Sequence, residues 1–170
     1  MTPRHEVWAK GYAKQAKAEF DAYQALGQLK GIPICIRLHF LQMACEKLCK
    51  AYQCGKGTDP DGLQTSHAFI KSHLPFIAKQ QFAQLGRNVQ RDHSTTLRQI
   101  RQLAREIELL APSVKDGGRR PENCEYPWEN AGRLYVPAEY DFPNLNLLSE
   151  QAGRLLLKLI SAAIEELLAS

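Results

Sequence analysis

Apolar residues return at steps of three and four in five separate stretches of this 170-residue chain. No stretch alternates apolar and polar residues at the period of two that a half-buried strand requires. That spacing confines the chain to helices packed on helices. Between Arg4 and Leu26 the series Trp8, Tyr12, Ala16, Phe20, Tyr23 and Leu26 predicts an amphipathic helix, stopped by Gly27 and the Gly31-Ile32-Pro33 run. From Pro33, suited to a first turn, to Tyr52, the residues Leu38, Leu41, Ala44, Cys45, Leu48, Cys49 and Tyr52 form one broad apolar stripe. Gly55 to Gly62 is rich in turn formers and reads as a surface connection. It has no Walker spacing and no strand before it, so a phosphate-binding loop is not indicated.

A third helical region is expected from Thr65-Ser66, residues suited to capping, and carries Ala68, Phe69, Leu74, Phe76 and Ile77. Pro75 must kink or divide it, because proline removes a backbone donor and crowds the preceding turn. Helix resumes through Phe82, Ala83 and Leu85 and weakens at Gly86. Another runs from Ser94 to Ala111, with Leu97, Ile100, Leu103, Ala104, Ile107 and Leu110 inward, and Pro112 closes it. Residues 112–146 have no helical period and hold five prolines (112, 121, 127, 137 and 143). Their aromatic residues, Tyr126, Trp128, Tyr135, Tyr140 and Phe142, argue against disorder and predict an ordered segment wrapped on the bundle, with a short hairpin around Gly132. The last helix, over 147–168, is again strongly amphipathic. The expected fold is all-α: an up-and-down bundle of five to six helices in one domain spanning 1–170, with a long Pro- and aromatic-rich segment before the last helix.

The amino terminus has no apolar run of signal-peptide type and the apolar block near Leu155 is interrupted by Lys158, so no membrane span is expected. Five cysteines, Cys35, Cys45, Cys49, Cys54 and Cys124, form no C-x-x-C pair, and an odd number argues against a complete disulfide framework. A reducing cytoplasm is the expected location. Cys45, Cys49 and Cys54 with His39 match no common structural zinc spacing, so the cysteines read as buried free thiols, with neither metal nor cofactor expected.

The net charge of +4 is mild, but its distribution is uneven. Between Arg87 and Arg105 there are five arginines (87, 91, 98, 101 and 105) against one acid, Asp92. Arg98, Arg101 and Arg105, at i, i+3 and i+7, fall on one stripe of a helix and are suited either to RNA phosphates or to an ordinary solvated face. Arg87-Asn88 and His93 are the residues best suited to acid–base work on a phosphodiester, since histidine alone titrates near neutral pH without help. Their spacing is a loose pattern in a chain with eleven arginines and five histidines. Six positions apart on an ideal helix they point about 120° away from each other. They converge only across a helix break or between two protomers. Tyr126 and Trp128 are suited to stacking bases or to packing the long segment onto the bundle.

The run Leu41-Gln42-Met43-Ala44-Cys45-Glu46-Lys47-Leu48-Cys49-Lys50-Ala51-Tyr52, followed after a turn by Ser66-His67-Ala68-Phe69-Ile70, resembles the A-x-E-K-x-x-K-A … H-x-h pattern of HEPN domains. These are nucleotide-binding helical bundles of prokaryotes and higher eukaryotes. Cys124-Glu125-Tyr126-Pro127 is similar to the tyrosine–proline element that follows the helices in many small members. The resemblance implies a metal-independent endoribonuclease of the defence or toxin type, working as a homodimer with a cleft shared by two protomers. His93 would then move the proton of the ribose 2′-hydroxyl or of the leaving oxygen. Arg87 would neutralise charge on the phosphorane, Asn88 would orient a partner, and Arg91, Arg98, Arg101 and Arg105 would bind RNA. It equally implies an alternative, a non-catalytic module that binds a nucleotide or a nucleotidyltransferase-type partner. The family's tyrosine two positions after the histidine is Thr95 here, so regulation through that tyrosine is not implied. His67 matches a family position that reads as a hydrogen-bonding brace at a helix start.

Overall fold

The computed structural model describes residues 3–84, 94–114 and 122–169. They form an all-α bundle. In chain order its helices are α1 (Pro3–Leu26), α2 (Ile34–Gly55), α3 (Pro60–Gln64), α4 (Ile70–Gln84), α5 (Ser94–Glu108) and α6 (Gln151–Ala169), with a hairpin of β1 (Trp128–Asn130) and β2 (Arg133–Tyr135) before the last helix. None of these helices is long and apolar enough to cross a membrane.

The centre is α2, which packs against α1, α4, α5 and α6. It can do so because its sequence buries far more than one stripe: Cys35, Leu38, Leu41, Ala44, Cys45, Leu48, Cys49, Ala51 and Cys54 all lie inside. Alanines and thiols among them let neighbouring backbones approach closely. On α1 the buried apolar line keeps Ala16, Phe20 and Tyr23 of the expected stripe but has Ala9 and Ala13 in place of Trp8 and Tyr12. Trp8 and Tyr12 lie at its flank, packed on the small cluster of Ala9, Cys54 and Leu63. The exchange follows from size: alanines in the contact bring α1 against α2, and bulky rings fit only at the edge.

Several boundaries move for local reasons. Pro33 is the residue before α2, not part of its first turn. The expected surface loop contains α3, a single turn started by Asp59, whose side chain accepts a hydrogen bond from the Asp61 amide at 3.2 Å, with Pro60 in the first helical position. Thr65 and Ser66 do not cap α4. Its first turn is held instead by Glu108 of α5, whose carboxylate accepts from the Lys71 amide at 2.9 Å, a negative charge where the helix dipole is positive. Pro75 lies inside α4 without dividing it; buried Leu74, Ile77 and Ala78 hold both sides of it to the core. The α5 helix ends at Glu108, three residues before Ala111.

Within the expected wrapping segment, the hairpin pairs Trp128 with Tyr135 and Asn130 with Arg133. Its turn is Ala131-Gly132, both at positive φ, 49° and 74°, as a two-residue turn between twisted strands requires. Trp128 stacks on Tyr135 at 5.8 Å and meets the edge of Tyr140 at 5.1 Å. The rings therefore pack the segment onto the bundle, and Trp128 is not exposed for stacking on bases; Tyr126 is exposed. A 3-10 turn over Pro143–Ser149 precedes α6, which starts at Gln151 and not at 147. Gly153 explains the tight seam: a β-carbon there would lie 2.3 Å from both the Leu147 carbonyl oxygen and the Leu148 Cα.

Candidate functional site

Two polar groupings and one basic face stand out. The first is inside the bundle. Glu46 and Lys50, one turn apart on α2, have side chains only 1% and 3% exposed and pair at 2.7 Å. The other Glu46 contacts are Lys47 at 3.2 Å, the Gln42 amide nitrogen at 3.2 Å and His67 Nδ1 at 3.1 Å. The residues of the A-x-E-K-x-x-K-A … H pattern are thus brought to one carboxylate, and His67 braces the approach to α4. Burial alone would raise the Glu46 carboxyl. The hydrogen bond from Lys50, with Lys47 and His67, outweighs burial and holds it below the usual range. The carboxylate itself is 1% exposed, so its contacts tie α2 to the segment before α4 from inside the bundle.

The second grouping is at the far end of α4. Glu166 of α6 accepts hydrogen bonds from the Gln81 and Gln84 side-chain amides, the latter at 2.9 Å, and Tyr52 of α2 lies at 3.5 Å. These contacts fix the last turn of α4 against α2 and α6. At its other end, the start of α4 is tied to the end of α5 by the Lys71–Glu108 contact. The two helices are therefore antiparallel, and Gln84 and Ser94 belong to the same end of the bundle.

Arg87, Asn88, Arg91 and His93 fall in the connection between those helices and lie outside the described residues. Of the basic stripe, Arg98, Arg101 and Arg105 are exposed on α5, opposite the buried Ile100, Leu103, Ala104 and Ile107. Glu108 ends that helix on its buried side. Burial raises its carboxyl, opposed by the Lys71 amide.

The cysteines are free and buried, as expected. Cys45 and Cys49 are enclosed in the core and burial pushes both thiols far up. His39 is not grouped with them. Its Nδ1 faces Cys124 and Glu125, two residues that their spacing in the chain does not link to it. A cavity of about 330 Å³ opens beside α2, lined by Tyr23, Arg37, Phe142, Asn146 and Ser149 among others. Arg37 lies over the Tyr23 ring, and its buried Nε has no hydrogen-bond partner. Nothing in the periodicity marks this cavity, because Phe142 reaches it through a left-handed backbone, φ 49°.

No family model matches the chain, and no curated protein or solved structure matches it either.

Proposed function

We propose that this protein is a metal-independent endoribonuclease of the HEPN type that works as a homodimer. In this reading the α4–α5 connection carries the chemistry. His93 takes the proton from a ribose 2′-hydroxyl, the oxygen attacks the adjacent phosphorus, and the 5′-oxygen leaves with a proton returned by the partner's copy of the site or by water. Arg87 neutralises the phosphorane and Asn88 orients the reacting groups. Products are a 2′,3′-cyclic phosphate and a 5′-hydroxyl. The observation that carries the reading is the antiparallel pairing of α4 and α5. Arg87, Asn88, Arg91 and His93 fall in sequence between Gln84 and Ser94, which belong to one end of that pair, and the exposed Arg98 and Arg101 lead away from that end along α5. Phosphate contacts along such a face add affinity and register without reading bases.

The test is cleavage of a labelled RNA in EDTA. Wild-type protein should cut, RNA with a 2′-deoxy sugar at the cut site should resist, and His93→Ala and Arg87→Ala proteins that still fold should be inactive. Wild-type-like cleavage by either variant removes the site. A second reading, a non-catalytic module that binds a nucleotide or a nucleotidyltransferase-type partner, draws on the 330 Å³ cavity with the unpartnered Arg37 Nε. Absence of cleavage together with nucleotide binding that Arg37→Ala abolishes would favour it.

A further inference from the structure

His39, Cys124 and Glu125 come from opposite ends of the chain to one point. His39 Nδ1 lies 3.8 Å from the Cys124 sulfur and 3.5 Å from Glu125 Oε1, and the three ligand-type atoms all lie within 4.8 Å of one another. We propose that these three residues form a zinc-type divalent metal site, with the remaining coordination position open to water.

The geometry separates this from the two simpler readings. In a catalytic Cys-His-acid arrangement the acid and the thiol address opposite nitrogens of the imidazole, so that one orients the ring while the other exchanges a proton. Here both face the same Nδ1. A simple His–Glu ion pair accounts for the carboxylate, and the Cys124 thiol donates to the Leu110 carbonyl at 3.4 Å, which leaves the sulfur lone pairs facing the same His39 nitrogen. Three lone-pair atoms directed at one point are what a cation requires. At zinc bond lengths of about 2.0 Å to nitrogen or oxygen and about 2.3 Å to sulfur, tetrahedral angles set N and S about 3.5 Å apart and N and O about 3.3 Å apart. The observed N–S and N–O separations exceed these by roughly a few tenths of an ångström, and the sulfur and carboxylate oxygen, within 4.8 Å of each other, must close towards about 3.5 Å by rotation of the part-exposed Glu125 side chain. The donor set of imidazole, thiolate and carboxylate is one that zinc accepts and that magnesium and calcium do not favour.

The supports are built, not incidental. His39 stands in the second turn of α2, and the other two stand on a turn held by hydrogen bonds. Asn123 Oδ1 accepts from the Glu125 and Tyr126 amides at 2.9 and 2.7 Å, and the Cys124 amide donates to the Leu110 carbonyl at 3.1 Å. Cys124 is buried while the His39 and Glu125 side chains are 35% and 29% exposed, so an ion has a path in from solvent and one face left for water.

Cobalt(II) titrated into chelator-stripped full-length protein tests this without any RNA. One equivalent per chain should bring up a thiolate-to-cobalt charge-transfer band that zinc then abolishes. Cys124→Ser should lose the band. His39→Ala and Glu125→Gln, the second a near-isosteric change at a part-exposed side chain, should weaken binding by at least about tenfold, the smallest loss seen even for outer partners of metal ligands. A protein with no saturable band, a band that survives in Cys124→Ser, or unchanged affinity in a folded Glu125→Gln would overturn the site. The readout is metal binding alone, so it neither depends on nor decides the cleavage reaction.

Discussion

Removing Glu46 should strand a lysine in the core, and the cost can be worked from the contacts. Lys50 is 3% exposed, and Glu46, at 2.7 Å, is its one ion-pair partner among the described residues. Breaking a buried pair from one side leaves an uncompensated charge and costs about 3–5 kcal/mol, whereas replacing both partners by apolar side chains is often neutral. Glu46→Leu alone should therefore lose about 3–5 kcal/mol, and Lys50→Met alone less, because Glu46 keeps Lys47 and His67 as partners. The double variant should not lose their sum. It leaves the buried Gln42 amide without its acceptor, so a deficit of about 1–2 kcal/mol should remain. Urea unfolding followed by circular dichroism at neutral pH measures all three, provided the denaturant slope stays constant.

The pH dependence supplies an independent check. In the wild type the Glu46 carboxyl is held below its ordinary value, so its contribution is present above the unfolded carboxylate value of about 4.3 and is lost as pH falls further. Because Glu46→Leu has no such contribution to lose, its deficit relative to wild type should shrink as pH falls below about 4.3. Additive single and double losses, or a Glu46→Leu deficit independent of pH, would refute the buried-pair account.

Two further outcomes follow from single positions. Gly153→Ala places a β-carbon 2.3 Å from the backbone of Leu147 and Leu148; backbone cannot yield as a side-chain tip can, so a loss of about 3 kcal/mol or more is expected in the same unfolding assay. Glu19→Gln should stabilise metal-free protein at neutral pH. Burial raises the Glu19 carboxyl, opposed by the hydrogen bond from Gln15, so its ionisation costs stability as pH rises through the folded value. Melting temperatures should differ at pH 7 and converge below about pH 4.3, where the glutamic acid is protonated folded or unfolded.

Helical periodicity made most of the bundle legible, because an apolar stripe records which face meets the core. The spans of α1, α2 and α5 follow from Phe20, Leu41 and Ile107 and their neighbours alone. The departures come where a distant group replaces a local signal. Thr65-Ser66 is a good local cap, but Glu108, 37 residues beyond Lys71, takes the start of α4. Leu147 and Leu148 continue the apolar series of α6, but Gly153 admits their backbone so closely that they form a separate 3-10 turn. Glu46 was readable only as part of a pattern, and its burial with Lys50 contradicts what two charged residues on a helix ordinarily signify. His39 and Cys124 are 85 residues apart, and no spacing rule connects an isolated histidine in one helix with an isolated cysteine in a proline-rich turn. The one clue was the Asn123 position, where a side chain that folds the chain back on itself precedes a thiol and a carboxylate.

The same contrast bears on Arg87 and His93. Their six-residue separation is unsuited to a site on one straight helix, since it turns the two side chains about 120° apart. The described helix ends on either side of them, Gln84 of α4 and Ser94 of α5, lie at one end of an antiparallel pair. The Lys71–Glu108 contact fixes that reversal from the far end of the hairpin, and the Gln84–Glu166 contact anchors α4 at the near end. If the protein is the ribonuclease proposed above, Glu166→Ala should lower RNA cleavage by loosening the last described turn of α4 without touching substrate. Its loss should fall on kcat with KM little changed, and Glu166→Gln, which can still accept from Gln84, should restore part of the rate. An equal loss in both variants would mean that the Glu166 charge, not the anchor, matters to the reaction.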